Sequence, residues 1–226
     1  MENNFIAWWV PNQMGHSSTN LDRYRQKQPA LWFSECRLLF QHRRVIMPHH
    51  PFTETAMNPT PALPEHFTKA ERYQAILPQI EGLLRADADL WTANLANINA
   101  LLAETFGWFW VGFYLVDNTG TELQLSAFQG PVACTRIAHN RGVCGQAWAQ
   151  GKTLIVPNVH EHPGHIACSS RSQSEIVVPL RNRRGHIIGV LDIDSEHLNQ
   201  FDETDAQYLQ QICAMLPEIL TVPEIA

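Results

Sequence analysis

A strand–turn–strand pattern in the second half of the chain constrains the fold most strongly. The segments SEIVVPL (174–180) and HIIGVLDID (186–194) are rich in Val and Ile, and the polar turn RNRRG joins them. β-branched residues favour strands, and a short polar connection that contains Gly lets two strands pair in opposite directions. These residues therefore predict an antiparallel hairpin, and with it an antiparallel sheet.

Four further segments have the composition of strands. WFWVGFYLV is dense in aromatic and β-branched residues, and the turn DNTG separates it from the alternating segment ELQLSAF. Such alternation is typical of a strand with one buried face. ACTRIAH predicts another strand, and KTLIVP predicts one that Pro157 ends.

Helical patterns precede, interrupt and follow these strands. TKAE forms a capping box in which Thr68 begins a helix that runs to about Ile76, where Pro78 is expected to kink or restart it. A second helix follows this one. GVCGQAWAQ predicts a short third helix that ends at Gly151, and Asp202 caps a last helix. This order predicts an α+β domain with a central antiparallel β-sheet flanked by helices. The apolar stripes that support the second and last helices are Leu90, Leu95, Ile98, Leu101 and Leu102, and Ala206, Leu209, Ile212, Leu216 and Ile219.

Composition excludes several classes of protein. The net charge of −6 over 226 residues argues against a nucleic-acid-binding surface, which needs clustered Lys and Arg. No apolar run reaches the roughly 18 residues of a membrane helix, and the N-terminus lacks the pattern of a secretory signal. The five cysteines are odd in number and irregularly spaced, unlike a secreted disulfide framework. We therefore expect a cytoplasmic protein with no membrane or nucleic-acid partner.

The first part of the chain differs from the rest. Residues 1–56 have scattered aromatic side chains and no sustained period of a strand or a helix, whereas the pattern becomes regular after Met57. The favoured interpretation is that residues 1–56 are an N-terminal extension of doubtful order or origin and that residues 57–226 form the domain. A genuine accessory segment is the alternative.

Three cysteines in the middle of the domain are candidates for chemistry. Cys134, Cys144 and Cys168 each lie beside Gly, Ala or Ser, and such small neighbours leave a sulfur accessible. For any single one of them, a packed core thiol is the simpler interpretation. Cys213 lies within an apolar helical pattern and is interpreted as a core residue, and Cys36 receives no role.

The segment HEHPGHIAC raises the possibility of a metal site. It brings His160, His162 and His165 within a few residues of Cys168. Zinc needs four ligands in a tetrahedron, but the segment has no paired C-x-x-C or H-x-x-x-H spacing, and a Pro-Gly turn interrupts it. No metal is therefore expected, and the histidines are interpreted as surface residues.

The acids of LDID either begin the turn that follows the strand or converge with a third carboxylate on one face of the predicted sheet. Asp192 and Asp194 are two apart on a strand and point to the same side, and Glu175 begins the neighbouring strand. Clustered carboxylates raise one another's pKa, which leaves one protonated near neutral pH, and they also attract an ammonium group. Trp110 and Tyr114 are four apart on another strand and share a face. They indicate either core packing or the wall of a binding site.

Taken together, these segments resemble a known family. The blocks FWVGFY, FQGPVACTRI, RGVCGQA, VPNVHEHPGHIAC, SEIVVPL and GVLDIDS…FDETD are similar in order and spacing to the free methionine-R-sulfoxide reductases, which are built on a GAF domain. The resemblance covers about residues 64–220. Its blocks are individually weak, but their joint order is not general to GAF domains.

The resemblance implies a fold, a reaction and a role for each candidate residue. The expected reaction is the reduction of free L-methionine-(R)-S-oxide to methionine, with thioredoxin as the reductant and no cofactor. Cys168 is implied to be the nucleophile and Cys134 the resolving cysteine, with Cys144 an auxiliary or alternative resolving cysteine and Glu175 an acid or substrate-binding group. The implied substrate-binding residues are Trp110, Tyr114, Asp192 and Asp194.

A non-catalytic sensor is the alternative class. Most GAF domains bind small molecules or signal, and a fold alone does not decide function. A sensor is expected to be joined to an output domain, and neither residues 1–56 nor the residues after Leu220 have the pattern of one. With the cysteines, this favours the enzyme. GAF domains commonly pair through their terminal helices, so a homodimer is expected.

Overall fold

The computed structural model describes residues 63–166 and 169–221. The chain divides into two units, residues 1–52 and 53–226, and all of the described residues belong to the second. The predicted boundary between residues 56 and 57 lies outside the described residues and stays a prediction.

The described residues form a six-stranded sheet in the order β3-β2-β1-β6-β5-β4. Every neighbouring pair of strands is antiparallel, and β5 and β6 form the hairpin that the sequence predicts. The expected α+β fold with a central antiparallel sheet is therefore confirmed. The strands are β1 (Trp110–Val116), β2 (Glu122–Gln129), β3 (Arg136–Ala138), β4 (Leu154–Val156), β5 (Ser174–Arg181) and β6 (Ile187–Ser195).

Helices cover both faces of this sheet. One face packs against two of the three longer helices, on which the third packs in turn, and this side contains most of the buried apolar side chains. The other face packs against the short helix and the loops around it, and forms a second, smaller apolar cluster. The candidate site residues lie on this second face. The helices are α1 (Lys69–Ala86), α2 (Trp91–Phe106), α3 (Gly142–Gln150) and α4 (Glu203–Ile219), and a 3₁₀ turn spans Val159–Glu161.

Helix α1 is longer than the sequence predicts. The capping box is present, because the Thr68 side chain accepts a hydrogen bond from the Glu71 N–H and the Glu71 carboxylate accepts one from the Thr68 N–H. Of the two alternatives at Pro78, a kink or a restart near Ile76, the restart is wrong, since α1 continues through Pro78 to Ala86 as one helix. A proline inside a helix costs one backbone hydrogen bond, but each buried apolar side chain contributes about 1.5–3 kcal/mol. The buried side chains continue on both sides of the proline: Tyr73, Ile76, Ile80 and Leu84.

Leu90 does not belong to the buried stripe of α2. It is the residue before the helix and is 50% exposed, so its assignment to the inward face is wrong. Trp91 takes the buried position at the start of the helix instead. The physical reason is that α2 begins one residue later than the sequence suggests, which rotates Leu90 out of the stripe. The other predicted members are buried as expected: Leu95, Ile98, Leu101 and Leu102.

The two short strands at the sheet edges are shorter than their sequence patterns. ACTRIAH predicts a strand over 133–139, but β3 covers only Arg136–Ala138, and β4 covers only Leu154–Val156. Each is an edge strand with a single partner, which limits its ladder. Ahead of β3, the carbonyl of Cys134 accepts a hydrogen bond from the Tyr114 side chain.

Along residues 63–166 and 169–221, no helix combines the length and the apolar composition that crossing a membrane requires.

Deletion of residues 1–56 is expected to leave catalytic activity and melting temperature close to those of the full chain. Residues 63–221 contain an apolar core of their own on each face of the sheet, with capped helices at both ends. Thermal unfolding followed by circular dichroism, and an activity assay on both proteins, measure the effect. A large drop in either quantity would mean that the extension packs on the domain.

Candidate functional site

The predicted acidic and aromatic residues meet on adjacent strands of the second sheet face. Glu175 on β5 lies opposite Asp194 on β6, which in turn lies opposite Trp110 on β1. Asp192 lies two residues before Asp194 and is paired with Gly112. The antiparallel register therefore aligns residues from three strands that are far apart in the sequence.

A buried thiol lies against two of these carboxylates. Cys144 Sγ is 3.9 Å from Glu175 Oε1 and donates a hydrogen bond to it. These atoms and an oxygen of Asp192 all lie within 4.8 Å of one another. The exposed fractions are 3% for Cys144 and 6% for each acid, so solvent screens the cluster weakly. The Asp192 Oδ1 atom is buried and has no hydrogen-bond partner among the described residues.

Burial favours the protonated form of Glu175 and Asp192 and, to a smaller extent, that of Asp194. The pKa of Glu175 lies well above its ordinary value because of desolvation first, and then because of the negative charges of Asp192 and Asp194. Burial and the charge of Asp194 likewise raise the pKa of Asp192. Burial raises the pKa of Asp194 to about 6, and a hydrogen bond from Ser172 opposes that rise. Asp194 is therefore the acid most readily ionised at neutral pH.

Burial also raises the pKa of the Cys144 thiol well above its ordinary value, and the charges of Asp192 and Glu175 raise it further. A thiolate is the reactive form of cysteine. Cys144 is therefore a neutral thiol at neutral pH, suited to donating a hydrogen bond rather than to nucleophilic attack.

Trp110 and Tyr114 form an aromatic wall beside the acids. Both side chains are buried, and their rings stack with centroids 5.9 Å apart. Phe128 on β2 also stacks on Trp110, with ring centroids 5.6 Å apart. A Cβ atom at Gly112 would lie 2.3 Å from the Trp110 ring, so the absence of a side chain there lets the indole lie flat over β1.

The same two aromatic residues hold the loop that carries Cys134. Trp110 Nε1 donates a hydrogen bond of 3.0 Å to the carbonyl of Pro131, and the Tyr114 hydroxyl donates one of 2.9 Å to the carbonyl of Cys134. Burial raises the pKa of Tyr114 and keeps its phenol protonated, so it remains a donor. The aromatic wall thus links the acid cluster to the cysteine loop.

The three described cysteines of this domain differ in redox state. Cys134 is disulfide-bonded, whereas Cys144 and Cys213 are free thiols. Cys144 is therefore not the partner of Cys134. Cys213 lies buried in α4, as the sequence predicts for a core residue. Cys168, the predicted nucleophile, lies outside the described residues.

Two small adjoining cavities share Asp192 and Asp194 in their walls. The first is bordered by the aromatic wall and by Val132, which is 89% exposed. The second is bordered by Cys144 and Glu175. A larger groove beside α4 contains none of the predicted catalytic or substrate-binding residues.

Several contacts around the site have no signal in the sequence. Gln146 on α3 donates a hydrogen bond of 2.9 Å to the carbonyl of Pro163, and its Oε1 lies 3.0 Å from His162 Nε2. After the undescribed residues, Arg171 pairs with Glu196 and lies over the ring of Phe109. These contacts fix both sides of the segment that contains position 168. They depend on tertiary packing, so periodicity could not predict them. For the same reason the sequence did not identify two further site residues, Phe128, which stacks on Trp110, and Ser172, which donates a hydrogen bond to Asp194.

The histidine loop does not assemble a metal site among the described residues. The only group of three or more potential ligands found in this part of the chain is Cys144, Glu175 and Asp192, and no histidine belongs to it. His162 instead contacts Gln146, and His165 lines the second cavity.

Comparison with known proteins identifies the fold. Residues 95–216 match the family model described as the GAF domain. The chain belongs to the GAF-domain family. Within this family it is 62% identical over 149 residues to GAF domain-containing protein A of Dictyostelium discoideum, a match that covers 66% of this chain and 92% of the relative.

Other GAF relatives have names that state an activity. Free methionine-R-sulfoxide reductase of Escherichia coli is 41% identical over 157 residues, which is 69% of this chain and 93% of that protein. The X-ray structure of free methionine-R-sulfoxide reductase from Neisseria meningitidis in complex with its substrate is 60% identical, with a TM-score of 0.65 and coverage of 67% of this chain and 90% of that one. The family resemblance inferred from the sequence blocks is therefore confirmed.

Proposed function

We propose that this GAF protein reduces free methionine-R-sulfoxide to methionine. One observation carries the proposal. The aromatic wall of Trp110 and Tyr114 lies beside the buried acids on the sheet and is hydrogen-bonded to the loop that carries the disulfide-bonded Cys134. A thiol pair that cycles through a disulfide supplies the two electrons of the reduction, and removal of oxygen needs a proton donor. The named activity of relatives at 41% and 60% identity supports the same reaction.

The first step is attack by the Cys168 thiolate on the sulfoxide. The Cys168 sulfur takes the oxygen while the bond from that oxygen to the substrate sulfur breaks, which gives methionine and a cysteine sulfenic acid. Glu175 donates its proton to the oxygen as negative charge develops there. Its raised pKa supports this role, because a general acid must hold a proton at the working pH.

The second step restores the oxidation balance. The Cys134 thiol attacks the sulfenic acid, the hydroxyl leaves as water, and a Cys134–Cys168 disulfide forms. The free state of Cys144 supports Cys134 as the resolving residue. Thioredoxin then returns both cysteines to thiols by exchange. The chain is proposed to work in the cytoplasm, where such reductants operate, and as a homodimer.

Selection of the free amino acid follows from the different pKa values of the acids. Asp194, with a pKa of about 6, is mainly ionised at neutral pH and binds the ammonium group of the substrate. Trp110 and Tyr114 pack against the apolar part of the substrate. An amide nitrogen in a peptide carries no such charge, so a methionine sulfoxide residue within a chain leaves Asp194 unpaired. The bound ammonium also offsets the negative charge that opposes ionisation of Cys168, so the substrate assists its own reduction.

A single-turnover experiment tests this function. Reduced enzyme mixed with one equivalent of free methionine-R-sulfoxide, without reductant, is expected to release about one methionine and consume two thiols. Peptide mapping should then join Cys134 to Cys168. In Cys134→Ser the first methionine should still appear, because attack precedes resolution, while sustained turnover falls.

Two results would contradict parts of this scheme. A Cys144–Cys168 bridge in the wild-type map would exchange the roles of Cys134 and Cys144. Unspent thiols and no methionine would favour a ligand-binding sensor. The S epimer of the substrate serves as the control and should release no methionine.

A further inference from the structure

The proposed mechanism leaves one buried thiol without a role. Cys144 lies in the first turn of α3, is 3% exposed, and stays free while Cys134 is bonded. Its neighbour Gly145 packs so closely on the end of β3 that a Cβ atom there would lie 2.5 Å from the carbonyl of Ala138. The backbone N–H of Asn140 also donates to the carbonyl of Gly145. These contacts set the depth at which the thiol enters the cavity.

We propose that Cys144 is a positioning residue that donates its S–H to Glu175 and stays reduced throughout the cycle. This inference rests on the proposed reductase function. The donor atom lies 3.9 Å from Glu175 Oε1, within the range of hydrogen bonds to and from sulfur. An oxygen that accepts this bond is the less favourable place for the proton of Glu175. The proton is therefore held on the other oxygen, Oε2.

The surroundings of Glu175 explain why an uncharged donor is suitable. The titratable groups that face it are Cys144 from α3, Asp192 and Asp194 from β6, Tyr114 from β1, and His165 from the loop. A charged donor at the Cys144 position would form a salt bridge and keep Glu175 ionised, which would remove the acid. A thiol donates weakly and holds the carboxyl in place, while leaving it protonated at neutral pH.

A redox role for Cys144 makes different predictions. A resolving cysteine acts after the first methionine has been released, so its loss leaves the first turnover unchanged. Serine cannot replace it, because a hydroxyl forms no disulfide. A hydrogen-bond donor acts before or during the first turnover, and serine can replace it in part because the hydroxyl also donates. Comparison of serine with a side chain that lacks a donor therefore separates the two roles.

The test compares Cys144→Ser with Cys144→Ala and Cys144→Val in the full chain. Dithiothreitol serves as the reductant, so that no protein partner affects the rates. The first-turnover rate of methionine release is expected to fall about fivefold to tenfold in the alanine and valine variants, the effect of one neutral hydrogen bond, and to recover largely in the serine variant. Valine supplies a second donor-free side chain if the alanine variant does not fold. Cys213→Ala, at a buried thiol in α4, is the matched control and should keep the wild-type rate.

The pH dependence of kcat distinguishes a hydrogen-bonding role of Cys144 from a packing role, because a change in packing alone does not shift it. The hydrogen bond from Cys144 lowers the pKa of Glu175, so its removal raises that pKa further. The alkaline limb of the kcat profile is therefore expected to shift to higher pH in the alanine and valine variants and to return toward the wild-type position in the serine variant.

Each possible result bears on a definite claim. Equal first-turnover rates and equal pH profiles in the serine and alanine variants, with an active wild type, would overturn the role of Cys144 alone. A disulfide at Cys144 in the turnover map would also overturn it. No methionine from the wild type with any thiol reductant would overturn the proposed function itself, and the role of Cys144 with it.

Discussion

Cys168→Ser is expected to abolish turnover of free methionine-R-sulfoxide. A serine hydroxyl is almost entirely un-ionised near neutral pH, and oxygen cannot take up the sulfoxide oxygen as sulfur does when it becomes a sulfenic acid. The loss should be about a thousandfold or more, as for other catalytic nucleophiles. Methionine formation with dithiothreitol measures it, because this reductant does not depend on docking of a partner protein.

The matched control is Cys213→Ser. It makes the same exchange in α4, where the thiol is buried in the core and burial raises its pKa to about 12. This control is expected to keep activity per folded molecule, and circular dichroism checks that both variants fold. Appreciable methionine formation by Cys168→Ser would mean that another cysteine is the nucleophile. Cys144 would be next, although the acids around it oppose its ionisation.

Local sequence rules predicted the beginnings of the helices better than their ends. Thr68 and Asp202 cap α1 and α4 as expected, because a cap depends on residues within one turn. Continuation of α1 through Pro78 depends instead on burial of Ile80 and Leu84 in the apolar core, where α1 packs on α2 and α4. The local cost of proline was visible in the sequence, but the tertiary compensation was not.

The same distinction applies to the site. The two-residue period of a strand correctly placed Asp192 and Asp194 on one face, and the hairpin correctly brought Glu175 beside them. The contact between Cys144 and Glu175 depends on how α3 packs across β5, and no periodicity records that. The strand pattern assigns Tyr114 either to core packing or to the wall of a binding site, but its hydrogen bond to the backbone of Cys134 depends on a loop whose path the sequence does not specify.

Glu175→Gln is expected to reduce kcat by about a hundredfold to ten-thousandfold, the usual contribution of a general acid. Glutamine keeps the shape of the side chain but supplies no proton to the sulfoxide oxygen. Because burial raises the pKa of Glu175 and favours its neutral form, the substitution should change KM little. A rise in KM with unchanged kcat would mean that Glu175 holds the substrate amine, and wild-type kinetics would assign the acid role to Asp192 or Asp194.

The control for this substitution is Glu122→Gln on β2, where the carboxylate forms an ion pair with Arg136 outside the candidate site. It should leave both kcat and KM near the wild-type values. Parallel measurements on Asp192→Asn and Asp194→Asn separate the acids. If Asp194 binds the ammonium group, its amide variant should raise KM more than it lowers kcat.

Thermal unfolding over a range of pH separates loss of the acid from loss of the fold. The pKa of Glu175 is higher in the folded protein than in the unfolded chain, so the folded state keeps a proton that the unfolded state releases. The contribution of Glu175 to the free energy of unfolding therefore decreases as the pH rises above the ordinary glutamic acid value of about 4.3. Glutamine has no proton to release, so Glu175→Gln should gain stability relative to the wild type as the pH increases. If the variant is inactive but at least as stable as the wild type at neutral pH, the loss of activity is due to the missing proton. If the variant instead becomes less stable than the wild type as the pH rises, Glu175 is not protonated in the folded protein.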